Sequence, residues 1–180
     1  MVAVLHNIRS VYNVGSIFRT ADAAGIEKVY LCGVTPTPID RFGRERRDFH
    51  KTALGAEKIV PWEYAPSTLP LLRRLKKEGY GIVAVEQDSR AVSIWKLGFQ
   101  RKPSFQAPQK VVLVFGDEVQ GLSAAILKRA DRILEIPMFG KKESLNVSVA
   151  FGIVAYQLLR EFRIYPATAG PRSRRGKIEE

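Results

Sequence analysis

The sequence of 180 residues predicts an α/β fold in which a mostly parallel sheet is sandwiched by helices. Three observations carry that prediction. The strand candidates are short, continuous apolar runs, the pattern of strands covered on both faces. Between them lie segments whose apolar residues recur at helical spacing, so strand and helix alternate. With 46% hydrophobic residues, the length fits one compact domain with its own core.

The elements follow in order. Met1 leads directly into a strand at Val2–Leu5, and a helix is expected from Val14 to Ala24. A second strand, Lys28–Cys32, precedes Pro36 to Arg47, whose Pro, Gly and charge read as a loop. Lys58–Val60 is the third strand candidate. In the helix from Ser67 to Glu78, Leu69, Leu72 and Leu75 make one apolar face. Gly81–Glu86 is a strand, Ser89 to Pro108 reads as a second loop, and Lys110–Phe115 is a strand again. A helix from Ser123 to Ala130 and a strand at Arg132–Ile136 lead to the last helix, Asn146 to Phe162. There Val147, Ala150, Phe151, Val154 and Leu158 follow the i, i+3, i+4, i+7 pattern. The domain is expected to span residues 1–164, with residues 165–180 a basic flexible tail.

Composition narrows the function. The longest apolar runs fall far short of a membrane span and no secretory leader is apparent, so a reducing cytoplasm is the expected location. Cys32 is the single cysteine, which leaves no internal disulfide, and it reads as an inert buried thiol. With only His6 and His50 beside it, no metal site is expected. The net charge of +11 and an isoelectric point near 10.0 favour a polyanionic partner, nucleic acid first. Acidic membranes or protein partners would fit the same charge. The basic residues cluster at Arg41, Arg44, Arg46, Arg47, His50 and Lys51, at Arg101 and Lys102, and at Arg172, Arg174, Arg175 and Lys177.

Three segments share one style, a strand breaking into a tight polar turn and then a helix. They are Asn13 to Ala21, Phe115 to Ser123, and Ile136 to Ala150. A Ser such as Ser144 at a helix start can cap it, and the exposed N–H groups there suit a polar or anionic ligand. Asn13 is expected to cap the first helix, with Arg19 in its second turn. Gly121 ends its turn before Ser123 caps the next helix. Gly116 permits close backbone approach at the end of a strand, in the crevice where α/β sheets bind ligands. Arg9, ahead of the first turn, could meet a phosphate, as could Arg44, Arg46 and Arg47. No Gly-x-Gly-x-x-Gly opens a helix after the first strand and no P-loop is present, so a dinucleotide-binding reading is set aside.

In this order, the three segments resemble the signature motifs of the SpoU (TrmH) family, S-adenosylmethionine-dependent RNA ribose 2′-O-methyltransferases of the SPOUT superfamily. The resemblance spans roughly Leu5 to Leu159. It implies a deep C-terminal trefoil knot, which periodicity cannot show and which general topology disfavours. It also implies a homodimer whose RNA-facing cleft is built partly at the interface, and a tRNA or rRNA substrate. Arg19 matches the family's catalytic arginine. A guanidinium resists deprotonation, so stabilising the 2′-alkoxide is its safer description. Asn13 would orient Arg19 or the ribose, and Glu118 matches a functional glutamate expected to pair with a cation or shape the site. Ile136, Met138 and Leu145 would surround the cofactor with backbone atoms. Ser144 and Asn146 match polar functional positions, and Gly116, Leu113, Phe115 and Asp117 are further contributors.

One position departs from the pattern. Asp117 stands where the family most often has Asn, exchanging an amide donor for a charge. That exchange keeps a rival reading open, a non-catalytic RNA-binding or ribosome-assembly factor that retains the knotted fold. Base methylation, known elsewhere in the superfamily, is disfavoured by Asn13 and Arg19.

Overall fold

A computed structural model describes residues 1–97 and 110–162. The basic residues Arg101 and Lys102, the 165–180 tail with its four basic residues, and most of the expected second loop lie outside them. Seven strands form one sheet, in the order β3-β2-β1-β6-β4-β7-β5, and every pairing is parallel. They are β1 (Val2–His6), β2 (Lys28–Cys32), β3 (Trp62–Ala65), β4 (Tyr80–Val85), β5 (Val92–Ser93), β6 (Lys110–Phe115) and β7 (Arg132–Glu135). The helices are α1 (Val11–Ala23), α2 (Arg47–Ala53), α3 (Ala56–Ile59), α4 (Thr68–Lys77), α5 (Ala124–Leu127) and α6 (Val147–Phe162).

Pleating explains why the strands carry no polar alternation. Ala3 and Leu5 of β1 join Val29, Leu31, Val111 and Leu113 beneath α1, α2 and α6. Val2 and Val4, one residue out of phase, join Cys32, Val112 and Val114 beneath α4 and α5. Both faces are buried, so both parities must be apolar. Because every strand is parallel, the carboxyl ends share one edge of the sheet. The order, with β6 between β1 and β4 and β7 beyond β4, is consistent with the trefoil crossing that the resemblance implies.

Lys58–Val60 is not a strand. Gly55 turns the chain with φ 91°, Ala56–Ile59 forms one helical turn that leaves Ile59 exposed, and the strand begins beyond Pro61. The seven-residue α2 was not anticipated, and neither was the two-residue β5 inside the expected second loop. No helix among the described residues is long and apolar enough to cross a membrane.

Candidate functional site

The carboxyl ends of β4, β6 and β7 surround a cavity of about 540 Å³. The loop after β6 is shaped by Gly116 and Asp117. A Cβ on Gly116 would stand 2.7 Å from the Gly121 carbonyl oxygen and 2.8 Å from the Leu122 nitrogen, so no other residue fits that approach. The close neighbour is thus the chain's own turn. Gly121, with φ 65°, donates its N–H to the Asp117 carbonyl at 2.9 Å and closes that turn. Glu86, at the end of β4, accepts the Leu122 N–H at 2.7 Å and fastens the loop to the sheet.

The polar residues of the three segments meet at the rim. The Asn13 amide donates to Glu118 Oε1 at 3.1 Å, and its oxygen accepts from the Asn146 amide at 3.1 Å. Asn146 Oδ1 accepts the Ser148 N–H at 2.9 Å, so Asn146 caps α6. Glu118 Oε2 accepts the Arg9 backbone N–H at 3.2 Å. One hydrogen-bonded chain therefore fixes the entrances of α1 and α6 and the β6 loop against one another.

Three caps differ from expectation. Helix α1 starts at Val11, where Ser10 accepts the Asn13 N–H, which frees the Asn13 side chain and moves Arg19 into the third turn. Asn146 takes the cap at α6, so Ser144 keeps its hydroxyl exposed at the cavity wall. Ser123 occupies the cap position of α5 without a side-chain hydrogen bond. Glu118 is held by an amide and a backbone N–H, with no cationic side chain on it among the described residues.

Asp117 is 7% exposed. Its Oδ1 accepts the N–H groups of Val119 and Gln120, each at 2.8 Å, and its Oδ2 takes Arg9 Nε at 3.0 Å. The Gln120 N–H first, then that of Val119 and the Arg9 charge, hold this carboxyl below its ordinary value against the opposing effect of burial. The charge that Asp brings in place of Asn is thus paired with Arg9, which lies just ahead of the first segment.

Gly116, Glu118, Ile136, Met138, Ser144, Leu145 and Asn146 all line the cavity, with Phe115 and Asp117; Leu113 does not. Neither Arg19 nor Arg9 lines it. Six residues carry Arg19 about 9 Å along α1 from Asn13 and roughly 120° away around it. Arg19 is exposed, beside Thr20, whose methyl lies 3.6 Å from where a Cβ on Gly152 of α6 would stand. Of the expected RNA-facing arginines, Arg44 pairs with Asp40 and Arg46 with Asp48, both at 2.9 Å, while Arg47 is exposed at the start of α2.

Sequence reasoning missed Glu86, Glu135 and Glu143, which join Asp117 and Glu118 in the lining. The available signal was an acidic residue closing an apolar strand, at Glu86 and again at Glu135. Among the described residues, five carboxylates line the cavity and no lysine or arginine does, within a chain of net charge +11.

Known proteins resemble this chain in sequence and fold. A tRNA (guanosine(18)-2′-O)-methyltransferase of Aquifex aeolicus is 30% identical over 161 residues, covering 89% of this chain and 69% of its own. The 23S rRNA (guanosine-2′-O-)-methyltransferase RlmB of Ralstonia nicotianae is 29% identical over 167 residues, covering 93% of this chain and 61% of its own. The AdoMet-bound rRNA methyltransferase of Sinorhizobium meliloti superposes with a TM-score of 0.75 at 27% identity, over 91% of this chain and 56% of that one. The chain spans 52–69% of the length of the curated relatives it matches. The model of the SpoU rRNA Methylase family matches residues 1–156, and the chain belongs to that family.

Proposed function

We propose that the chain transfers a methyl group from S-adenosylmethionine to a ribose 2′-hydroxyl of a tRNA or rRNA. The observation that carries this reading is the acidic cavity in a basic protein. A cavity walled by five carboxylates and Phe115 suits a cationic, partly apolar ligand and repels RNA phosphate, while the net charge of +11 on the whole chain attracts it. When bound, S-adenosylmethionine supplies an electrophilic methyl on a sulfonium. The chain's residues do the rest. The backbone around Ile136, Met138 and Leu145 holds the ligand at the carboxyl edge of the sheet. Asn13, Glu118 and Asn146 keep the rim rigid. Arg19 presents a permanent positive charge that stabilises the developing 2′-alkoxide.

Arg19 lies outside its own chain's cavity, so the reading includes a second copy that brings it. Helices α1 and α6 pack together and expose Tyr12, Val149 and Tyr156, an apolar patch beside Arg19 fit to be covered in a symmetric homodimer. The same reading places the protein in the cytoplasm, with its RNA substrates. The Asp117 carboxylate, which kept a non-catalytic alternative open, is held in place by Arg9 and two backbone N–H groups and lines the cavity alongside Gly116 and Glu118.

The test pairs calorimetry with chemistry. S-adenosylmethionine should bind the purified chain and raise its melting temperature by mass action. Nucleoside mass spectrometry of a cellular RNA pool should gain 2′-O-methyl groups, and Arg19→Ala should reduce the rate by roughly a hundredfold or more with cofactor affinity retained. Absence of cofactor binding by folded protein would remove the basis of the reading.

A further inference from the structure

Beyond the cofactor cavity lies a second concavity of about 410 Å³, lined by Thr35, Pro36, Ile39, Phe42, Arg46 and Tyr64 among others. Its outer wall is a turn built to hold one ring in water. Asp40 Oδ1 accepts the N–H groups of Phe42 at 2.8 Å and Arg44 at 3.0 Å, while Asp40 N–H donates to the Arg44 carbonyl at 2.9 Å. Gly43, with φ 79°, makes the reversal. Asp40 Oδ2 also takes Arg44 Nε at 2.9 Å, and the backbone and side-chain N–H groups of Arg44 hold this carboxyl below its ordinary value.

At the tip, Phe42 is 65% exposed and packs into no core cluster. The guanidinium carbons of Arg41 and Arg44 stand 4.7 and 5.0 Å from its ring centroid. Ile39 and Tyr64 are exposed in the same concavity, and the Tyr64 hydroxyl donates to the Gly33 carbonyl at 3.1 Å, which fixes that ring. An isolated exposed aromatic needs no explanation, but grouped rings on a braced turn form a surface patch. Folding gains little from Phe42 where it stands, so its exposure is explained by what it can bind.

We propose that this concavity holds an unpaired base of the RNA substrate, stacked on Phe42, with the Arg41 guanidinium on the adjoining phosphate. Every nucleobase has a π-face, and a base that takes the place of the Arg41 guanidinium over the exposed Phe42 ring frees that charge for the backbone phosphate. Double-stranded RNA hides its base faces, so the occupant is single-stranded, a loop or a splayed nucleotide. Position supports this occupant. Tyr64 lies on β3, and Thr35 follows β2 by three residues, so the concavity shares the carboxyl edge with the cofactor cavity beside β6. Two strand spacings, about 10 Å, separate β2 from β6, so the stacked base belongs to a nucleotide close to the methylated one. The proposal rests on the RNA methyltransferase reading and adds the kind of RNA element recognised.

The experiment measures affinity of the full chain for a short labelled single-stranded RNA and for the same strand annealed to its complement, across a range of salt. Phe42→Ala should weaken single-strand binding roughly five- to a hundredfold at every salt concentration, with the salt slope unchanged because no charge is lost. Its duplex affinity and its affinity for S-adenosylmethionine should match the unmodified chain, and Phe42→Trp should restore single-strand binding. Arg41→Ala should instead flatten the salt slope by about one unit. Equal losses on single strand and duplex, or no loss on either, as expected if Phe42 serves a protein partner, overturn the stacking proposal. An unmodified chain that binds neither RNA overturns the RNA reading itself, and the proposal with it.

Discussion

Asp117 keeps its charge almost wholly out of water, with two backbone N–H groups and a guanidinium as partners. An asparagine there would keep the two backbone hydrogen bonds but turn its amide toward Arg9, exchanging an ion pair for two opposed donors. Arg9 is 64% exposed, so solvent screens much of the attraction. Asp117→Asn should therefore cost only about 0.5–1 kcal/mol near neutral pH, mostly through the amide left facing Arg9. The sign with pH follows from linkage. The folded carboxyl sits below its ordinary value of 3.8, so its contribution is fully present above that value and fades as pH falls toward the lower folded one. Melting temperatures of the two proteins should differ by a constant amount from pH 7 to pH 5 and converge in acid; a gap that widens in acid would contradict the assignment. Cys32 is fully buried, and burial pushes its thiol up to about 11. Its expected inertness follows, since thiolate is scarce and shielded.

At the scale of elements, Gly15 of α1 faces α2. A Cβ there would overlap Thr52 Oγ1 and stand 2.8 Å from the Phe49 carbonyl oxygen. Alanine favours an isolated helix by up to about 1 kcal/mol, but forced overpacking costs about 1–3 kcal/mol. Gly15→Ala should lower the melting temperature, and a rise would show that α2 yields freely. The sequence could not announce this contact because α2 was itself illegible. Its RDFHKTA offers only Phe49 and Ala53 to the core, a single i, i+4 pair in a charged segment. Longer elements were legible because both faces of each strand had to be apolar and because α4 and α6 repeat for several turns. Lys58-Ile59-Val60 misled by its β-branched residues, since the exposure of Ile59 is a tertiary outcome. The same limit applies to the site. Polar types at Asn13, Glu118, Ser144 and Asn146 were readable through the family resemblance, but their partners depended on helix starts displaced by a few residues. Asn13 traded a cap for a bridge because Ser10 began α1 first.

For the whole molecule, the separation of Arg19 from the cavity has a quantitative consequence. In a symmetric dimer each site would combine the cavity of one copy with Arg19 of the other. Arg19→Ala retains its cavity but offers no cation, whereas Leu145→Arg spoils the cavity wall and retains Arg19. Each variant alone should be nearly inactive. Randomly reassociated in equal amounts, half the dimers are mixed, and each mixed dimer holds one intact site and one that lacks both parts. Activity should recover to about a quarter of that of the unmodified protein if the sites are shared across a two-fold interface. Arginine acting within its own chain leaves no intact site in any dimer, so recovery should then be absent. Tyr12→Glu with Tyr156→Glu should abolish the recovery by keeping the copies apart, since charge buried without a partner opposes association. Cofactor affinity of that double variant should persist, because neither Tyr12 nor Tyr156 lines the cavity.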